Sequence, residues 1–132
     1  MKRFLVFFVL AGLLFSPGCK SPMSAELINL SGDWNGTFQI PKFNESGSIS
    51  FTLSQSGNQL TGTFTTTTGR YGKMSGSISG QTVTGTLTFQ DWCRGSSSLT
   101  STVSSDGRKI TGNANTNDCL GNYSISFSVT KK

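Results

Sequence analysis

Few side chains in this sequence could do chemistry. It has no histidine, which removes the commonest general base and the commonest metal ligand together. A hydrolytic triad therefore lacks its central base, and the many serines stay unactivated. Asp91 and Asp118 flank the cysteines Cys93 and Cys119, and two such carboxyls could in principle serve as a glycosidase pair. Loop aspartates are more often turn formers and solvated charges. The remaining acids have no Ca²⁺-loop spacing, and the cysteines are too few for a zinc centre. The sequence predicts no catalytic residue, no metal and no cofactor, so a non-enzyme is expected.

Charge narrows the partners further. Eleven basic residues stand against six acidic ones, but two of the cations are Lys2 and Arg3 at the extreme N-terminus. Those at 42, 70, 73, 94, 108 and 109 are scattered singly or as one pair. They form no stripe that would follow a run of phosphates, so nucleic acid is not an expected partner.

The N-terminus, "MKRFLVFFVLAGLLFSPGCKSP", places two cations before an uncharged run from Phe4 to Phe15 and a break at Ser16, Pro17 and Gly18. This is the layout of an export signal. The run is shorter than the roughly 20 residues a membrane span requires. A small residue directly before Cys19 resembles the lipobox of bacterial lipoproteins, although Ser16 stands where that family usually has an aliphatic residue. The resemblance implies removal of residues 1–18, acylation of Cys19 as the new N-terminus, and a tether over 19–30 that ties the protein to the lipid bilayer. Lys20 after the cysteine points to an outer-membrane lipoprotein of the bacterial cell envelope. Assigning Cys19 to the lipid also settles the odd cysteine count, because Cys93 and Cys119 are then free to form a disulfide.

The rest of the chain, 31–132, reads as one all-β domain. Apolar residues recur with a period of two, as in Trp34, Gly36, Phe38, Ile40 and in Ile49, Phe51, Leu53, with Ser, Thr or Asn between them. Eight such segments follow one another, the weakest being Leu99 to Val103. The unit apolar, hydroxyl, Gly, hydroxyl or amide, apolar appears as "LTGTF" (60–64), "MSGSI" (74–78), "VTGTL" (83–87) and "ITGNA" (110–114). Its glycine shares the inward face, where a missing side chain lets strands coil and backbones approach. An eight-stranded antiparallel up-and-down β-barrel is expected, with a β-sandwich as the alternative.

The connections sort the two ends. "SGNQ" (56–59), "SGQ" (79–81) and "SSDGRK" (104–109) are tight turns, whereas the segments 41–47, 67–72, 91–96 and 115–122 are longer. In a meander the long set lies together at one end, opposite the tether. That rim carries Phe43, Arg70, Tyr71, Trp92 and Arg94, residue types suited to contact surfaces. It also carries both cysteines, which supports their pairing. Trp92 has a second reading, as a cover over the disulfide that plugs the barrel.

Gly32, Asp33 and Trp34 match the G-x-W of the first strand in lipocalins, and "LSGDWN" with "LTGTF" resembles the avidin family. The resemblance implies a calycin-type barrel. It does not carry the biotin site, because Phe64 stands where avidins have a hydrogen-bonding tyrosine, and only Leu87 and Phe89 stand in place of their tryptophans. The function expected is non-catalytic binding at the rim, to a protein, a glycan or a small apolar ligand. Inhibition of an envelope-directed hydrolase and a purely structural role are the alternatives.

Overall fold

Strict alternation of apolar and hydroxyl side chains gives each strand one dry face and one wet face. The computed structural model describes residues 28–132; the export segment, Cys19 and the tether up to residue 27 lie outside the described residues. Eight strands follow in order: β1 Gly32–Ile40, β2 Glu45–Ser56, β3 Gln59–Thr66, β4 Tyr71–Ser79, β5 Thr82–Phe89, β6 Gly95–Val103, β7 Lys109–Asp118 and β8 Gly121–Lys131. Each pairs antiparallel with the next, and β1 also pairs with β8, so that Phe38 faces both Gly47 and Phe127. The sheet is a closed barrel. The sandwich alternative is excluded, since no strand edge is left free.

Glycine permits the closure. Gly76 and Gly85 face each other across β4 and β5. A Cβ on Gly85 would lie 2.4 Å from the Ser75 carbonyl and 2.9 Å from the Gly76 Cα. On Gly36 it would lie 1.8 Å from the Ser128 carbonyl, where the last strand meets the first. Backbones this close leave no room for any other residue.

The inward faces supply a single core. Phe51 packs against Phe64 and Phe127 at ring separations of 6.1 and 6.0 Å, and Phe64 meets Phe89 edge-on at 5.5 Å. Such aromatic pairs add about 0.5 to 1.5 kcal/mol beyond their burial. Trp34 and Leu30 are fully buried, and the indole N–H donates to the Leu30 carbonyl at 2.9 Å. The incoming chain thereby stoppers the end formed by the β2–β3, β4–β5 and β6–β7 connections.

Strand β6 explains its weak periodicity. Ser97 and Ser101 point inward with Leu99 and Val103. The Ser97 hydroxyl pairs with that of Thr116 at 2.6 Å, which removes the penalty of burying it. Among the described residues the barrel interior holds small apolar voids of about 20 and 30 Å³. Each has the scale of a single water molecule.

Candidate functional site

The β1–β2, β3–β4, β5–β6 and β7–β8 connections converge at one end, as a closed meander requires, but two lengths depart from the sequence expectation: β7–β8 is a two-residue turn, Cys119–Leu120, whereas β6–β7, expected to be tight, spans 104–108. Pro41–Phe43 form a 3-10 turn between β1 and β2. Cys93 and Cys119 form a disulfide there, with Cα atoms 5.3 Å apart, tying the β5–β6 loop to the β7–β8 loop.

Arg70 departs from the sequence expectation. It lies at the rim but points into the barrel mouth and is only 8 % exposed. Its Nε donates to Asp91 Oδ2 at 3.0 Å, and Nη2 donates to Asp118 Oδ2 at 3.0 Å and to the Cys93 carbonyl at 2.9 Å. Nη1 donates to the Tyr123 hydroxyl at 3.2 Å. The guanidinium lies 4.2 Å from the Phe89 ring centre and 5.5 Å from that of Trp92. Arginine can take this position because a planar fork of donors satisfies several acceptors at once. Arg70 is thus the plug of the mouth, a role the sequence offered to Trp92.

The acceptors are themselves held. Asp91 also accepts from the backbone N–H of Tyr71 at 2.9 Å and of Cys93 at 2.8 Å. Asp118 accepts from the Leu120 N–H at 2.8 Å and from the Tyr123 hydroxyl. Phe43 packs edge-on against Tyr123 at 5.0 Å, so the remaining loop joins the cluster. Burial pushes the Asp91 carboxyl up, but the Cys93 and Tyr71 amides and the Arg70 guanidinium together outweigh it and hold it below the usual value. Burial, with the bond to Asp118, pushes the Tyr123 hydroxyl up to about 12. For Arg70 burial works against the charge, yet the bonds to Tyr123, Asp118 and Asp91 raise its pKa above the ordinary arginine value.

This arrangement decides what the two aspartates can do. The carboxyls expected as a possible acid and base are joined through one arginine and hidden from solvent, with side-chain exposures of 1 % and 0 %. Cys93, Cys119 and Asp118 also bring possible metal donors within 4.8 Å of one another. Their sulfurs are bonded to each other and the carboxylate is taken by Arg70, so no ligand set is free there.

The outward side of the rim is different. Phe43, Tyr71, Trp92 and Leu120 are the exposed large hydrophobic residues among those described, at 37, 48, 69 and 44 %. Phe43, Trp92 and Leu120 come from three different rim connections, and Tyr71 is the first residue of β4, directly after the fourth. Trp92 is therefore a surface residue that also flanks the plug. Arg94 is exposed beside it. Lys42 is exposed next to Phe43, and its ammonium donates to the Asn122 carbonyl at 2.9 Å. Leu120 was not among the sequence candidates. The one signal for it was an apolar residue directly after Cys119, inside a segment otherwise composed of turn formers.

No protein-family model and no curated protein matches the chain. Among solved structures the chain is similar to a de novo designed fluorescence-activating β-barrel, at 12 % identity and a TM-score of 0.56, over 77 % of this chain and 93 % of that one. At this identity the likeness is one of fold.

Proposed function

We propose that the protein is a lipid-anchored lipoprotein of the bacterial envelope, placed at the outer membrane through acylated Cys19, whose barrel binds a partner at the long-loop rim without catalysis. The observation that carries this reading is the set Phe43, Tyr71, Trp92 and Leu120, one exposed apolar side chain at each rim connection, mounted on a rim that the Arg70 cluster ties together. Fixed loops favour binding because little ordering remains to be done on contact. The engagement of both rim carboxylates by Arg70 supports the non-catalytic part. The water-sized interior voids favour a partner on the rim over one within the barrel. The export-signal layout and the odd cysteine support the anchor, and the described chain enters the barrel at the end opposite the rim.

Two experiments test it. Retention of a Cys19→Ser chain in the membrane fraction, without lipoprotein processing, would remove the anchor. Capture experiments with wild type, Trp92→Ala and Arg94→Ala test the rim, which requires that both substitutions reduce capture while the fold is kept. Capture of a hydrolase with loss of its activity would instead favour the inhibitor reading.

A further inference from the structure

We infer that the rim is a lipid-docking crown that seats the barrel end-on against an anionic bilayer surface. This deepens the rim-binding reading and rests on it. The four rim connections alternate with those of the opposite end around a closed barrel, so Phe43, Tyr71, Trp92 and Leu120 stand at successive quarter positions of the mouth. Four separated tips define a plane across the barrel axis. Protein hot spots instead cluster at the centre of a patch, and here the centre is the closed, polar Arg70 cluster. A planar partner suits a ring of points.

The side-chain types agree. Trp and Tyr are the residues that settle at the headgroup level, with an apolar body and a polar atom. Charge agrees as well. Asp91 and Asp118 turn inward onto Arg70, whereas Lys42 and Arg94 are exposed on the outside. Lys73 is exposed on β4 two residues below Tyr71, and the remaining rim acid, Glu45, is half-buried. The crown therefore shows cations and hides most of its acids, which matches an anionic surface.

Immersion is limited by the wall. Below the tips the outward residues include Ser46, Ser48, Thr65, Ser96, Asn117 and Asn122, all of them exposed. A membrane-spanning barrel needs an apolar outer band, and this collar of hydroxyls and amides is the opposite. The tips can reach the headgroup boundary and the barrel stops there. Because the described chain enters at the far end, the surface met by the crown is not the one nearest the tether.

Every strand and core residue among those described lies within 28–132, so a chain of residues 20–132 carries the whole described barrel and lacks the proposed leader and lipid site. Its flotation would be measured with vesicles of phosphatidylcholine alone and with equal parts phosphatidylglycerol, both also prepared with brominated acyl chains. Trp34 is fully buried, so quenching by bromine reports on Trp92. The expected result is flotation and quenching with the anionic vesicles, weakened by salt. Trp92→Ser should lower partitioning about tenfold or more, and Arg94→Ser about fivefold at low salt, each with an unchanged circular dichroism spectrum. Absence of flotation, or flotation that neither substitution reduces, overturns the inference. If vesicles are ignored but Trp92→Ser abolishes capture of an envelope protein or glycan, the lipid surface is wrong and rim binding survives. If Trp92→Ser affects neither, both fall.

Discussion

Arg70 and Asp118 come from connections on opposite sides of the barrel mouth and meet at 3.0 Å inside it. Asp91, from the connection between them, joins the same guanidinium at 3.0 Å. Three of the four rim connections are thereby tied together by one side chain, and Phe43 adds the fourth through Tyr123. The rim's shape depends on a group that is itself almost hidden.

Removing that group leaves two buried carboxylates without their cation. Arg70→Ala should cost about 3 to 5 kcal/mol of stability, the usual penalty for breaking a buried pair from one side. Urea denaturation followed by tryptophan fluorescence measures it. A loss within experimental error of zero would mean that the cluster holds nothing together.

Acid should weaken the same cluster through Asp91. Its carboxyl is held below the ordinary value in the folded protein, whereas in the unfolded chain it takes a proton near pH 3.9. The unfolded state then binds more protons as pH falls, so this stability is fully present above about pH 4 and is lost as pH drops through the folded value. Urea midpoints from neutral to acid pH should fall less steeply in Asp91→Asn than in wild type.

At high pH the linkage runs through Tyr123. The hydroxyl is raised to about 12 in the fold, against about 10 in an unfolded chain. Its contribution is complete below about pH 10 and is lost as pH rises towards the folded value, because the unfolded state releases the proton first. Phenolate absorbance should show one tyrosine titrating well above the ordinary value, and Tyr123→Phe should remove that late step.

Strand propensity predicts the wrong sign at the Gly76–Gly85 contact. Valine is a better strand residue than glycine in general, yet a Cβ at 85 meets the backbone of β4 at 2.4 Å. Gly85→Val should destabilise the barrel by roughly 1 to 3 kcal/mol or more, as overpacking does. A rise in the denaturation midpoint would contradict the account of barrel closure given above.

Reducing the Cys93–Cys119 bond should cost on the order of 3.5 kcal/mol by the chain-entropy argument. Denaturation with and without reductant measures the difference. The Cys93→Ser/Cys119→Ser double substitution should reproduce it.

The barrel was legible because its information is local. A period of two in apolar residues, with glycine recurring on the inward face, specifies strands and their tight coiling from within a few residues at a time. β6 was the exception, since inward Ser97 and Ser101 resemble the outward serines of other strands until their partners are known. The up-and-down strand order placed the rim, the disulfide and the exposed Trp92, Tyr71, Phe43 and Arg94 at one end, although the turn lengths read from the sequence failed for the β6–β7 and β7–β8 connections. Neither could orient Arg70. An arginine turns outward into water unless acceptors wait inside, and its acceptors lie 21 and 48 residues away. Asp91 and Asp118 stand beside the cysteines in the sequence and read there chiefly as turn formers and solvated charges, whereas the fold buries them on a cation from a third loop.

The seam between first and last strands has a practical side. Trp34 lies opposite Lys131, and the Lys132 amide bonds the Asp33 carbonyl at 2.9 Å, so both ends of the folded chain emerge underneath, at the base of the cup. A fluorescent reporter spliced on after Lys132 would hang below and leave the opening unobstructed, and a rearranged gene that links base to base could be cut open elsewhere without rethreading a single strand.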